Sequence, residues 1–378
     1  MSPAYTLKDL CLYFLKLGAL GFGGPVALVG YMHRDLVDAR KWITEDDYRE
    51  GLALSQLAPG PLAAQLGIYV GYVHYGILGA TLAGTAFVLP SFVMVVGIGW
   101  AYLEFGGLPW MQAVFYGVGA AVIGIIGIGS YKLTTKSIGK DLLLWGIFVV
   151  LAATTFLFEQ EIVWLILMGG IVVWFAKAPP AWLRFSTNMF FPLLGQMPAV
   201  SFETKLWQIA WFFAQAGAFV FGSGLAIVPF LYGGVVKEYG WLNEQEFLDA
   251  VAVAMITPGP VVITVGFIGY LVAGFWGALV AALATFLPCY LFTVIPAPYF
   301  KKYGKHPAIK AFVDGVTAAA IGAIAGAVVV LGKRTLTDLP TLLIAIATAA
   351  ILLRFRKLQE PYVIIAAALV GVLLKIVL

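Results

Sequence analysis

The chain has 378 residues, 62% of them hydrophobic and only 11% charged, with a mean hydropathy of +0.96 and a formal net charge of +4. A soluble protein carries about a quarter charged residues, so this composition excludes an ordinary globular fold and predicts a polytopic, all-α membrane protein. Basic residues sit in short loops and not on one face, which argues against nucleic-acid binding.

Twelve apolar segments follow one another: 10–31, 51–73, 76–103, 112–131, 141–158 and 161–177, then 205–231, 247–272, 274–297, 311–331, 339–354 and 361–378. The start lacks a charged region followed by a small-residue cleavage site, so no cleaved signal peptide is expected. The two cysteines, Cys11 and Cys289, fall within apolar segments, so neither a disulfide framework nor a cysteine metal site is indicated. The first segment runs through Gly18 to Phe22, Gly23, Gly24 and Pro25. A polar connector with Trp42 follows, and the second segment carries Gln56, Pro59, Gly60 and Pro61. The same pattern returns as Gly217, then Phe221, Gly222, Ser223 and Gly224, then Trp241, then Thr257, Pro258, Gly259 and Pro260. Residues 22–61 align with 221–260 without a gap, with 11 identities in 40. Beyond the second proline the offset falls from 199 to 198 and pairs Gly71 with Gly269, Pro90 with Pro288 and Gly117 with Gly315. Such a duplication predicts two homologous halves, 1–178 and 205–378, joined by an interfacial linker, 179–204. Thr44 to Asp47 and Asn243 to Glu246 read as helix starts with a side-chain cap and an acid three residues on.

Loop charge sets the expected topology. The 131–140 loop carries Lys132, Lys136 and Lys140, whereas the loops after the third and fifth segments offer Glu104, and Glu159 with Glu161. In the second half, the equivalents of these acidic loops carry Lys301, Lys302, Lys305 and Lys310, then Arg354, Arg356 and Lys357. Opposite charge in equivalent loops predicts an inverted-topology repeat, with Ser137 and Lys302 inside and Glu104 and Thr337 outside. Lys333 and Arg334 run against that rule. Inversion needs an odd number of crossings per half, so each half is expected to make five crossings and one re-entrant or broken segment at Pro-Gly-Pro.

Glycine and proline breaks expose helix N-termini, whose free N–H groups and dipole suit an oxyanion. Ser55, Gln65 and Thr264 add polar groups around them. Lys16, one turn before Gly21, supplies a cation at depth, and its repeat equivalent is Gln215. Arg34 and His33 are candidates for an access vestibule. Glu50, Asp249 and Asp314 are candidates for carrying protons. His33, His74 and His306 lack metal-ligand spacing, and there is no Walker A, His-Glu-x-x-His or Gly-x-Ser-x-Gly sequence. No cofactor, no metal and no enzymatic activity are therefore expected.

Phe14-Leu15-Lys16-Leu17-Gly18 leading to Phe22-Gly23-Gly24-Pro25, Trp42 and Gln56-Leu57-Ala58-Pro59-Gly60-Pro61 resembles the chromate ion transporter family. The second half resembles the same domain at Phe221 to Gly224 and at Pro258 to Pro260. The resemblance implies two oppositely oriented domains in a bacterial inner membrane. It implies export of chromate from the cytoplasm, driven by membrane potential or proton gradient, with sulfate as a competing look-alike. Ser223 and Gln215 depart from that pattern, where glycine and a basic residue are usual. The expected partners are a chromate- or sulfate-like oxyanion and the lipid bilayer, and the reading allows a homodimer.

Overall fold

The computed structural model describes residues 5–22, 24–105, 109–158, 163–179, 204–219, 227–303, 306–355, 358 and 360–377, and among these every regular element is helical. In the first half the helices are α1 (Leu7–Leu20), α2 (Gly24–Met32), α3 (Glu45–Leu57), α4 (Leu62–Phe105), α5 (Pro109–Ser137), α6 (Leu142–Phe158) and α7 (Val163–Lys177). In the second they are α8 (Lys205–Phe219), α9 (Ile227–Leu231), α10 (Glu244–Ile256), α11 (Thr264–Val294), α12 (Ala297–Tyr303), α13 (Pro307–Thr335), α14 (Leu339–Arg354) and α15 (Glu360–Val377).

The duplication is written into the backbone. A wide helical turn follows α2 at His33–Ala39 and α9 at Tyr232–Glu238, closed by Arg40 N–H to the Asp35 carbonyl and Tyr239 N–H to the Gly234 carbonyl. Both connectors then take one left-handed residue, Lys41 at φ 53° and Gly240 at φ 57°. Thr44 and Asn243 cap α3 and α10 by accepting from the N–H groups of Asp47 and Glu246, as their spacing predicts.

The first segment departs from expectation. It is not one continuous helix: α1 spans 14 residues and α2 nine, with a break at Gly21 between them. At Gly21 the chain leaves the helix and turns back, so that residues following α2 meet residues of α1 and of the stretch before it. Tyr5 stacks on Trp42 with ring centroids 4.6 Å apart, Tyr13 reaches Asp35 at 3.5 Å, and Gly21 lies against Leu28. Next, α3 and the start of α4 fold back on each other about Pro59-Gly60-Pro61, so that Gly51 faces Tyr69. α4 then reverses at Gly76, whose φ of 57° and ψ of −147° favour glycine. Its two arms touch where Gly71 and Gly79 leave no room for a side chain between them. Tyr5 bonds His74 at 2.8 Å and accepts from the Tyr75 hydroxyl through its carbonyl, tying the α1 start, the Trp42 connector and the Gly76 turn to one end. α11 repeats the reversal at Gly274 (φ 61°), with Gly269 against Gly277.

The long second arms of α4 and α11 run antiparallel. Thr81 bonds Tyr290 at 2.8 Å near one end, and Gly99 abuts Tyr270 near the other. The Gly76 and Gly274 turns therefore lie at opposite ends of the bundle. The remaining helices are exchanged between halves: α5 is covered by α14 and α15, and α13 by α6 and α7. Small residues make this possible. A side chain on Gly117 would meet the Ala367 carbonyl, and one on its equivalent Gly315 would meet the Gly169 carbonyl. The two cations that break the charge rule are both engaged here. Arg334 pairs with Glu244, and the Lys333 ammonium lies 4.4 Å from the centre of the Phe156 ring.

Candidate functional site

The sequence Ala-Pro-Gly-Pro cannot continue a helix, because both prolines lack an N–H and push the residue before them out of the helical region. α3 accordingly ends at Leu57, Ala58 is extended, Gly60 takes φ 138° and α4 begins at Leu62. In the second half α10 ends at Ile256, Thr257 is extended, Gly259 takes φ 96°, and a short turn at Val261–Ile263 leads into α11. Gln65, fully buried, donates from Nε2 to the Pro59 carbonyl at 2.7 Å and braces the first tip. The hydroxyls of Ser55, Thr257 and Thr264 bond carbonyls of their own segments, Gly51, Val253 and Val261. They satisfy backbone at the breaks.

Each tip reaches into the opposite half. The Gly259 N–H donates to the Gly21 carbonyl at 2.9 Å, joining the second Pro-Gly-Pro to the first glycine break. The buried Ser91 hydroxyl donates to the Pro258 carbonyl at 2.7 Å and lies 3.4 Å from the Gly18 carbonyl. The first tip faces α11, where a Cβ on Gly60 would stand 3.0 Å from the Cys289 sulfur. Ser91 and Cys289 are repeat equivalents, each just after the proline inside its long helix, Pro90 or Pro288. Sequence reasoning missed both, although the Pro90–Pro288 alignment stood beside them.

Next to the first break lies a cavity of about 250 Å³ lined by Tyr13, Lys16, Leu17, Leu20, Gly21, Phe22, Tyr31, Arg34, Asp35 and Arg40. Three cations thus face one carboxylate. Arg34 Nε donates to Asp35 at 2.8 Å, and the Arg40 guanidinium stacks over Tyr13 and Trp42 at 5.3 and 4.6 Å. Lys16 is exposed and makes no ion pair among the described residues, so its ammonium is free for a ligand. His33 turns elsewhere, its Nε2 2.8 Å from Glu45 and its Nδ1 3.3 Å from Asp38. The hydrogen bond from His33, aided by Arg49, holds the Glu45 carboxyl below its ordinary value.

The structure brings together Lys16, Phe22 and Arg34 in this cavity, and joins Pro258 and Gly259 to its edge through Gly21. Gly24 and Pro25 open α2. Gln56 is exposed on the last turn of α3, and Pro59 lines a second, apolar cavity of about 260 Å³ with Leu54, Phe292 and Phe300. Gly60, Pro61 and Pro260 are buried in the tips, and Gln215 is half-buried on α8. Gly23 and Phe221, Gly222, Ser223 and Gly224 lie outside the described residues. Of the three acids, Asp249 alone is buried, accepting from Tyr102 across the halves and from Gln245, both at 2.8 Å. Glu50 and Asp314 are half-buried on α3 and α13. Among the described residues, no group of three or more His, Cys, Asp or Glu could hold a metal.

The family model described as "Chromate transporter" matches residues 8–174 and again 207–372. The chain is similar to the chromate transport protein of Cupriavidus metallidurans, 69% identical over 98% of this chain and 94% of that one. It is also 66% identical to the probable chromate transport protein of Synechococcus elongatus, over 99% of this chain and 97% of that one. Identity to the chromate transport protein of Pseudomonas aeruginosa is 30%, over 98% and 93% of the two chains. No solved structure matches.

Proposed function

The chain belongs to the chromate transporter family, and from that premise we propose that it is a secondary active transporter exporting chromate from the cytoplasm across a bacterial inner membrane. It is an integral membrane protein, and among the described residues four helices are long and apolar enough to cross a bilayer. The observation that carries the transport reading is the contact between broken-helix tips of opposite halves beside a cavity with three cations. A tetrahedral dianion leaving water loses a large hydration energy, which Lys16, Arg34 and Arg40 offset together with the exposed N–H groups of the breaks. In this reading Lys16, Phe22, Gly23, Gly24 and Pro25 hold the anion. Gln56, Pro59, Gly60 and Pro61 form one mobile tip, and Thr257, Pro258, Gly259 and Pro260 form the other. Gln215 and Phe221, Gly222, Ser223 and Gly224 complete the second half's share. Asp249, a buried acid bridging the halves, is the preferred proton carrier, ahead of Glu50 and Asp314.

The antiparallel second arms of α4 and α11 support an inverted-topology repeat with halves at 1–178 and 205–378. The doubled-back pair α3–α4 about Pro59-Gly60-Pro61, with its equivalent about Pro258-Gly259-Pro260, is then the re-entrant segment of each half. Loop charge puts the Gly76 end in the cytoplasm, so the cationic cavity takes anions from the cytoplasmic side, in keeping with export. Single cysteines at Ser137 and Lys302 should label from inside, and those at Glu104 and Thr337 from outside. Labelling of Glu104→Cys and Lys302→Cys from the same side overturns the inversion.

The functional test is chromate flux per reconstituted transporter in vesicles with an imposed potential or pH gradient. Lys16→Ala should abolish flux, Lys16→Gln should nearly do so, and Lys16→Arg should retain part of it. Near-parental flux in Lys16→Ala removes the lysine from the site. Labelled sulfate carried as fast as chromate, or faster, makes this chain a sulfate carrier instead.

A further inference from the structure

We infer that Ser91 is a positioning residue, the side-chain half of a latch that closes the second Pro-Gly-Pro tip against the first half and that must open in each transport cycle. Pro90 interrupts the long arm of α4 where the tip arrives, and the next residue, Ser91, turns its hydroxyl to the Pro258 carbonyl at 2.7 Å. One residue on, the Gly259 N–H closes on the Gly21 carbonyl at 2.9 Å. The two bonds run in opposite senses from one turn of chain, so the tip is held by its own acceptor and its own donor at once. Gly259 is required by more than its φ of 96°, since a side chain there would strike the Ser91 oxygen. Ser91 is fully buried, so water does not compete for this bond.

The repeat supplies an internal control. At the equivalent place, Cys289 faces Gly60 and makes no side-chain bond to the first tip, whose Pro59 carbonyl is held by Gln65 of its own half. A thiol is a weak donor. The two tips are therefore built unequally: the second is latched across the halves by a hydroxyl, the first is braced within its own half. In the transport reading, from which the need for opening follows, the latched tip is the gate that prevents backflow.

The test uses full-length protein with Cys11→Ser and a reporter next to each tip: Thr257→Cys with Cys289→Ala for the second, Ala58→Cys with Cys289→Ala for the first. Labelling by a small methanethiosulfonate is timed on the purified transporter, which needs no transport. Ser91→Ala should speed labelling at Thr257→Cys about tenfold, the effect of losing one buried hydrogen bond, and leave Ala58→Cys unchanged. Gly259→Ala should do the same from the other side of the contact. Conversely Cys289→Ser, in place of Cys289→Ala, should slow labelling at Ala58→Cys by giving the first tip a hydroxyl. Unchanged labelling at Thr257→Cys in Ser91→Ala, or equal acceleration at both reporters, overturns the latch. In vesicles, Ser91→Ala should keep downhill chromate flux but lose accumulation against a gradient. Retained accumulation overturns the gating role, whereas absence of all flux in the parent protein counts against the transport reading and not against the latch.

Discussion

Two places related by the repeat have opposite chemistry. Around the first break, Tyr13, Lys16, Tyr31, Arg34, Asp35 and Arg40 enclose a charged, open cavity. The corresponding positions of the second half are Phe212, Gln215, Phe230, Gly233, Gly234 and Tyr239. There Phe212 stacks on Phe230 at 5.2 Å, Tyr239 stacks on Trp241 at 4.5 Å, and the Phe212 ring fills the space that Gly234 leaves vacant. One backbone thus makes a cationic vestibule at one end and an aromatic plug at the other. A symmetric carrier has no need of that difference, while a carrier that loads anions on one side only does.

The largest effect expected from this comparison is a split between equivalent positions. Lys16→Ala should remove chromate flux, whereas Gln215→Ala should leave at least half of it, measured per reconstituted molecule. Equal losses would mean that the two places work alike. The tips should divide less sharply. Pro59→Ala and Pro258→Ala both restore a backbone donor, and both should cut flux several-fold with normal abundance in the membrane. Pro258→Ala should be the worse, because its carbonyl is the one held across the halves. Smaller again is the effect at the starts of α3 and α10, where His33 with Glu45 and Tyr232 with Glu244 are equivalent pairs. Glu45 has its folded pKa lowered, so its stabilisation is full above the ordinary glutamate value of about 4.3 and is lost as pH falls through the lowered one. Glu45→Gln should therefore melt slightly below the parent at neutral pH, and the gap should close only as pH falls below the ordinary glutamate range and through the lowered pKa. Smallest of all, Lys41→Gly copies Gly240 at a left-handed position. Relief of strain and the added chain entropy of glycine are each about 1 kcal/mol, so the melting point should hardly move.

Much of the repeat was legible because glycine and proline leave marks that composition cannot hide. Pro59, Gly60 and Pro61 announce a break wherever they fall, and the 199-residue offset carries it to Pro258. The fold-back at Gly21 was not legible. Residues 10–31 are apolar enough for a crossing, and only the packing of Tyr5 on Trp42 and Tyr13 on Asp35 reveals that the chain turns back between two short helices. Likewise Gly117 and Gly315 promised close helix contact but could not name the partner, since a stripe of small residues fits any other. Lys16 and Phe22, singled out by depth and by motif, line the charged cavity. Arg40 was not singled out, because its stacking on Trp42 depends on a chain reversal invisible in the sequence.

The exchange of helices between halves also governs how the chain is made. α5 leaves the ribosome with its small-residue face bare, and two helices that cover it, α14 and α15, are made long after it. α6 and α7 likewise wait for α13. No half closes on its own, so assembly is non-local and late, and contacts of long sequence separation form slowly. Nascent α5 is therefore exposed to mispairing in the bilayer until α14 and α15 emerge, and a chain shortened after α13 strands α5, not only the segment it lacks.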